Sequence, residues 1–375
     1  MNLVCKKENL VDGLDMVMKA VASKTTMPIL ECVLITAEDK SLKLLCNNLE
    51  IGIESFCIEA NINAPGEIAI DAKKIFDIVR KLPDGDIFIS CQENIMIIKG
   101  GRSEFKIQCI DGTNFPKLPD VDKSEIYRIP SEIFKNMIKE TIFSVSLDES
   151  KAVLMGELLE IKNNKLSLVA LDGFRISLRR ENLNENYSDA SIIVPSKTLM
   201  DISRILANSD SEDILLYMTS QHALFELSEC KVVTRLISGS YLNYENIFTA
   251  DYKTVVKIKR QEFLECVERA SLICSDDKKR NPVKFKIEED KIIITSNTEL
   301  DQSYEEMPAN IDGEKLDIAF NPKYLTDVLK AISTNDIVIY FTTALNPCTI
   351  KPFDSEKNEV LDNARYLILP LKLKS

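Results

Sequence analysis

Few residue types in this chain are equipped for covalent chemistry. There is one histidine, His222, and the ten cysteines are scattered without a Cys-x-x-Cys pair. A His-based metal site or a Ser–His relay therefore has almost no raw material, and no cofactor is expected. Acidic residues are abundant, with Asp276-Asp277 and Glu305-Glu306 adjacent. Neighbouring carboxylates on a chain point apart, and no acid, base and nucleophile converge. The recurring chemistry is electrostatic. In "KKIFDIVRKL", Lys73, Asp77 and Arg80 stand four and seven residues apart, on one helix face. Lys197, Asp201 and Arg204 repeat the pattern 124 residues on, and Lys323, Asp327 and Lys330 repeat it 126 further. A few spaced bases without interleaved aromatics suit loose phosphate contact and no reading of bases.

The elements that carry these residues repeat as well. The apolar positions match: Ile75, Leu199 and Leu325; Ile78, Ile202 and Val328; Leu82, Leu206 and Ile332. Each helix follows a β-like stretch ("GEIAID", "SIIVPS", "LDIAFN") and precedes an Asp-Ile strand ("DIFIS", "DILLY", "DIVIY"). Glu8-Asn9-Leu10, Glu132-Ile133-Phe134 and Glu262-Phe263-Leu264 each open another helical pattern. The strands "LKLLCNNLEIGI", "LSLVALDGFRIS" and "IIITSNTELDQS" keep the same 124 and 126 spacing. Markers in step at one period mean three copies of a roughly 125-residue unit. The expected order within a copy is helix, three or four strands, helix, two or three strands. That makes an α+β fold with two helices on one side of antiparallel sheet. The polar and proline-marked segments "NFPKLPDVDKSEIY" and "NIFTADYK" place the boundaries, giving domains 1–122, 123–250 and 251–375. Asp172-Gly173 invites a hairpin, but the equivalent stretches "NNLEI" and "NTELD" lack that dipeptide, so the strand is expected to run through.

At 375 residues, several domains are anticipated. A net charge of −12 taken alone argues against a nucleic-acid binder. The second helix of every copy is nevertheless net positive, so the acidic excess lies elsewhere. One such helix would be an ordinary solvated face, whereas three at one position indicate a shared surface. The N-terminus has no apolar core of signal-peptide length, and no run reaches the ~18 apolar residues of a membrane span. The expectation is a cytoplasmic protein with reduced cysteines.

The chain resembles the bacterial DNA polymerase III beta subunit family, the sliding clamps. Besides the threefold repeat, the resemblance rests on "TTMPIL" at Thr25, "AKKIFDIVRKLPDG" at Ala72, "GGRSEFKI" at Gly100 and "DGTNFPKL" at Asp111. It also rests on "LVALDGFRIS" at Leu168, "AFNPKYLTDVLKAI" at Ala319 and "ARYLILPLKL" at Ala364. It implies three clamp domains per protomer and a head-to-tail dimer closing a six-domain ring. Helices then line a hole that duplex DNA threads, and topology rather than affinity prevents escape. The implied function is a non-catalytic processivity factor.

The resemblance implies DNA contacts from Lys24, Lys73 and Arg80, with Lys197 and Arg204 in the second domain; Lys323 and Lys330 follow from the internal repeat. It also implies a hydrophobic groove that takes short Leu/Phe peptides from the polymerase catalytic subunit, the clamp loader and repair polymerases. Its residues would be Leu154, Leu171, Gly173, Arg175, Ile176, Leu242 and Ile247. Asn321, Tyr324, Leu345, Leu367, Leu369, Pro370, Leu371 and Lys372 would complete it. Phe105 and Ile107, on an edge strand, would meet Leu272 and Ile273 of the other protomer. Leu171, Phe174, Leu242, Asn246 and Pro347 depart from the family pattern, and the tail runs two residues past Leu373. The groove should thus be more apolar here. The alternatives are a clamp-like scaffold that does not encircle DNA and, from another class, a carboxylate-based hydrolase.

Overall fold

The computed structural model describes the whole chain except residues 39–40, 57, 210, 249–250, 275–281, 299 and 373–375. The expected helices form as α1 (Lys7–Val17), α2 (Ala72–Lys81), α3 (Ser131–Thr141), α4 (Ser196–Leu206), α5 (Arg260–Ser271) and α6 (Pro322–Ala331). The starts of α2 and α6 have a chemical cause. Asp71 accepts from the Lys74 amide at 2.7 Å and Asn321 from the Lys323 amide at 3.0 Å, satisfying N–H groups that have no partner in the helix. The matched apolar positions turn inward: Ile75, Leu199 and Leu325 are buried, as are Leu82, Leu206 and Ile332. Ile78 is the exception, half-buried where Ile202 and Val328 are buried.

Each repeat opens with a strand that the sequence reading leaves out: Asn2–Lys6, Tyr127–Pro130 and Thr254–Lys259. The strands assemble into two compact units that do not follow the repeats. One comprises residues 1–135 and 197–237, the other 136–196 and 238–375, so the middle repeat is divided. The reason is visible in the sheets. In the first unit Cys230–Arg235, the last strand of repeat two, pairs antiparallel with Ile51–Ser55 of repeat one, Val232 opposite Ile53. In the second unit Ala364–Ile368, the last strand of repeat three, pairs with Arg175–Asn182 of repeat two, Ser177 opposite Tyr366. One sheet therefore grows to fourteen strands and the other to ten. A four-stranded sheet holds Val283–Ile287, Lys291–Asn297, Gln302–Pro308 and Leu316–Phe320. Its inner face meets α5 in a core built on Phe263, Phe285 and Phe320, with ring centroids 5.5 and 5.8 Å apart.

The strand at Asp172-Gly173 does not run through. Lys165–Leu171 and Arg175–Asn182 form a hairpin, with Leu171 opposite Ile176. The other copies turn at the equivalent place, with Asn47 opposite Gly52 and Asn297 opposite Gln302. The three turns share a mechanism. Asn48, Asp172 and Thr298 each accept, through a side-chain oxygen, the amides two and three residues on. A short polar side chain that caps its own turn replaces the Asn-Gly or Asp-Gly signal. Asn48, Asp172 and Thr298 are themselves spaced by 124 and 126 residues.

The carboxyl of Glu157, at the start of strand Gly156–Lys162, is fully buried with no base beside it. Its Oε2 lies 2.7 Å from Thr141 Oγ1, which is also 2.8 Å from the Met137 carbonyl oxygen. The single hydroxyl hydrogen fills only one of these two contacts, so both are hydrogen bonds only if the carboxyl is protonated and donates to the threonine oxygen while the hydroxyl donates to Met137. Burial pushes this acid up to about 8. A folded-state value above the unfolded one gives stability that is complete below about 4.5 and lost as pH rises through about 8. Wild type should therefore lose stability against the neutral mimic Glu157→Gln by roughly 1 kcal/mol per pH unit across that window. Urea unfolding of both proteins between pH 5 and 9 checks this; a pH-independent difference would mean that Glu157 is already ionised in the fold.

Candidate functional site

The candidate DNA-contacting cations are all exposed, but the fold uses them differently. Lys24 lies between Ala20 and Pro28, and Lys73 and Lys197 sit in the first turns of α2 and α4. These three form no ion pair among the described residues. Arg80 rests on the Phe76 ring, 5.5 Å from its centroid. Arg204 binds Asp201 at 3.1 Å, and Lys330 binds Glu268 at 2.8 Å. Lys323 lies 3.6 Å from Asp327.

The aspartate of the repeated motif has three fates. Asp77 is exposed. Asp201 is buried, and burial holds its carboxyl above the usual range against the pull of Lys197, Arg204 and Lys19. Asp327 accepts from Arg175 Nη1 at 2.7 Å. Sequence spacing put each aspartate beside its lysine; the neighbouring elements decide what it binds.

Arg175 organises the second candidate site. Its side chain is buried, with Nε 3.0 Å from Asp172 Oδ2 and Nη2 donating to the Phe143 carbonyl. The guanidinium lies 4.6 Å from the Tyr324 ring centroid and 5.4 Å from that of Phe143. It thus locks the hairpin turn to α6 from beneath, with stacking and ion pairing combined. Phe174, at the tip of the turn, is half exposed and stacks on Tyr324 at 6.3 Å. Gly173 beside it has φ +95°, a conformation that disfavours a side chain. Phe143, Asp172, Phe174 and Asp327 were not among the expected site residues. Asp327 carried a signal in the repeated motif, Asp172 in the Asp-Gly pair and Phe174 as a departure from the family pattern; Phe143 shows only once the hairpin is closed.

The C-terminal segment crosses this cluster. Ala364–Ile368 is an interior strand, hydrogen-bonded to Arg175–Asn182 on one side and Cys348–Asp354 on the other. Pro370 falls beyond the last paired residue, so this interior ladder loses no donor. The Leu369 amide then donates to the Phe174 carbonyl at 2.8 Å, and the Leu371 amide to the Ala319 carbonyl at 2.7 Å. Leu367 and Ile176 are buried, Leu371 and Pro370 half-buried, and Leu369 and Lys372 exposed.

These bonds and ring contacts unite Arg175, Tyr324, Leu369 and Leu371, with Gly173 in the turn between Asp172 and Phe174 and Asn321 capping the helix that carries Tyr324. They do not include Leu154, Ile247, Leu242 or Leu345. The first two are half-buried; Leu242 and Leu345 stand exposed on their loops. Tyr241, next to Leu242, is anchored by its hydroxyl to the Val169 carbonyl at 3.0 Å. Leu171 is buried under the hairpin.

Two sheet edges complete the description. Ser103–Gln108 ends the first unit's sheet, and Gln302–Pro308 ends the four-stranded sheet. Phe105 pairs with buried Ile98, on the core face, yet is 39% exposed because no strand follows. Ile107 is buried, Ile273 half-buried, and Leu272 is 71% exposed at the end of α5. Glu305 and Glu306 alternate across the second edge strand. Glu305 binds Arg269, while Glu306 accepts from Tyr304 and pairs with Lys291. Asp276 and Asp277 lie outside the described residues. Among the described residues no His, Cys, Asp and Glu cluster could hold a metal, and no helix is long and apolar enough to cross a membrane.

Comparison with known proteins agrees along the whole chain. The N-terminal, central and C-terminal domains of the DNA polymerase III beta subunit match residues 1–119, 128–243 and 245–372. The beta sliding clamp of Bacillus subtilis (strain 168) is 32% identical over 99% of this chain and 100% of its own. The crystal structure of the DNA polymerase sliding clamp from Bacillus subtilis superposes with a TM-score of 0.94 at 30% identity, covering 100% of both chains. The beta subunit of Streptococcus pyogenes DNA polymerase gives 0.93 at 27% identity, again covering 100% of both. The threefold repeat, the paired helices and the antiparallel sheets thus have full-length counterparts, and the chain belongs to the DNA polymerase III beta subunit family, the sliding clamps.

Proposed function

We propose that two copies of this chain join head to tail into a ring that encircles duplex DNA and tethers the replicative polymerase. One observation carries the reading. The strand after the turn in one repeat accepts the last strand of the next, and this pairing occurs twice within the chain. Its third instance needs Ser103–Gln108, the last long strand of repeat one, and Gln302–Pro308, the strand after the turn in repeat three, and each stands at the edge of its sheet. Open edges invite pairing with another chain, and a heterologous contact that closes makes a ring. Phe105 and Ile107 of one protomer would then cover Leu272 and Ile273 of the other. The domains are the repeats 1–122, 123–250 and 251–375.

The second helices supply the inner lining, with Lys24, Lys73, Arg80, Lys197, Arg204, Lys323 and Lys330 as phosphate contacts. The unpaired Lys24, Lys73 and Lys197 contribute most, because a lysine held by a carboxylate has less charge to offer. A sparse positive lining suits sliding, and the acidic remainder repels DNA from the outer surface. The cluster around Arg175, Phe174, Tyr324 and Leu369 is the groove for Leu/Phe peptides of the polymerase, the clamp loader and repair polymerases. Apolar anchors on a rigid polar frame suit an extended peptide.

The direct test is a processivity assay with a clamp loader and primed circular DNA, in which the chain should lengthen the products of one binding event. Unchanged products would support a scaffold that does not encircle DNA. Charge reversal of Lys73, Lys197 and Lys323 together should leave thermal stability nearly unchanged, since exposed ion pairs contribute little. Retention on circular DNA should fall, most clearly at low salt, and its dependence on salt should become shallower as phosphate contacts are lost. Retention equal to wild type at low salt would free this helix face from any role in phosphate contact.

A further inference from the structure

Cys91 lies on strand Asp86–Gln92, and Cys109 directly follows the edge strand Ser103–Gln108. Their sulfurs are 3.3 Å apart. The backbone holds both residues in place. The Cys91 amide donates to the Met1 carbonyl at 2.9 Å, and the Cys109 amide to the Asn94 carbonyl at 2.9 Å. Asn94 is the tip of the intervening hairpin, where Glu93 and Asn94 both have positive φ. Cys91 is half-buried and meets solvent, while Cys109 is buried. A disulfide bond is about 2.05 Å long, so the sulfurs need to move by only about 1 Å. By contrast Cys230 and Cys348 are buried with no thiol partner described, Cys46 is fully buried with Cys32, itself buried, as its thiol neighbour, and Cys266 lies against Arg269.

We propose that Cys91 and Cys109 are a reversible modification site that closes to an intramolecular disulfide by exchange with a small disulfide such as oxidised glutathione. The solvent-facing Cys91 thiolate attacks one glutathione sulfur. A Cys91–glutathione bond forms and the first glutathione leaves as a thiolate, which takes up a proton. Cys109 then loses its proton to solvent and attacks the Cys91 sulfur. The second glutathione leaves and is protonated in turn. Two protein thiols are oxidised and one glutathione disulfide is reduced to two thiols. Burial and the neighbouring sulfur push the Cys109 thiol up to about 12, so the second step should quicken as pH rises. The bond ties the end of the edge strand to the interior of its sheet. In a reducing compartment such a pair is transient and senses redox state.

The test is mass spectrometry of the full-length protein after exposure to oxidised glutathione, with and without later reduction. Wild type should lose two hydrogen masses, give a peptide joining Cys91 to Cys109, keep no adduct on either, and revert with reductant. Its melting temperature should rise by a few degrees on oxidation. Cys109→Ser should stop at a lasting glutathione adduct on Cys91, and Cys91→Ser should leave Cys109 reduced. A wild type that keeps the adduct on Cys91 without the joined peptide overturns the proposal, as does modification that goes to Cys266 instead. The wild-type measurement stands alone should a serine variant fail to fold.

Discussion

Replacing Leu272 with aspartate and Ile273 with serine should convert a dimer of roughly twice 42.4 kDa into a folded monomer. Leu272 is 71% exposed and Ile273 half-buried, so neither change empties a domain core. Thermal unfolding should be nearly unchanged at concentrations where both forms are monomeric. The loss falls on the interface. Each apolar side chain withdrawn from water contributes about 1.5–3 kcal/mol, and an aspartate at a covered site adds a desolvation cost. A ring of two protomers has two such interfaces, so the effect counts twice. Dimer dissociation should strengthen by at least ~10³-fold per pair of interfaces. Sedimentation equilibrium on wild type and variant measures it. A dimer that persists at micromolar concentration would remove Leu272 and Ile273 from the contact and leave the open edges without the proposed partner.

Removing residues 370–375 should leave a folded dimer that no longer binds polymerase-derived peptides. Ala364–Ile368 stays paired on both sides, so the sheet keeps its interior strand. Lost are the Leu371 amide bond to Ala319, the apolar cover from Pro370 and Leu371, and the exposed Lys372; residues 373–375 lie outside the described residues. Leu369 keeps its bond to Phe174, so the truncated groove loses a wall while its Arg175 frame remains. A Leu/Phe peptide should bind the intact chain in the micromolar range, about −8 kcal/mol. Two missing apolar contacts of about 1–2 kcal/mol each should raise Kd about 30- to 1,000-fold, to a level at which no binding is seen at micromolar peptide. Fluorescence polarisation with one labelled peptide decides it; equal affinity after truncation would put the peptide site elsewhere.

The repeat, the helices with their cations, and most of the buried helix positions can be read from the order of residues alone. Those features are local. A helix face is set by residues four and seven apart, and a period of 124 and 126 needs no knowledge of contacts. The turns at Asn48, Asp172 and Thr298 were legible in principle, since each carries its own capping oxygen; the absence of an Asn-Gly or Asp-Gly pair at Asn48 and Thr298 hid those two and argued against the one that Asp172-Gly173 signals. How the sheets join is a matter of long-range packing. Pairing Val232 with Ile53, or Ser177 with Tyr366, links residues nearly two hundred positions apart. Strand alternation states which side is apolar and never which strand lies alongside. The same holds for Asp327, which spacing assigns to Lys323 and the fold gives to Arg175. A buried guanidinium needs a close carboxylate, and which one lies in reach is a property of packed elements, not of the helix that carries it.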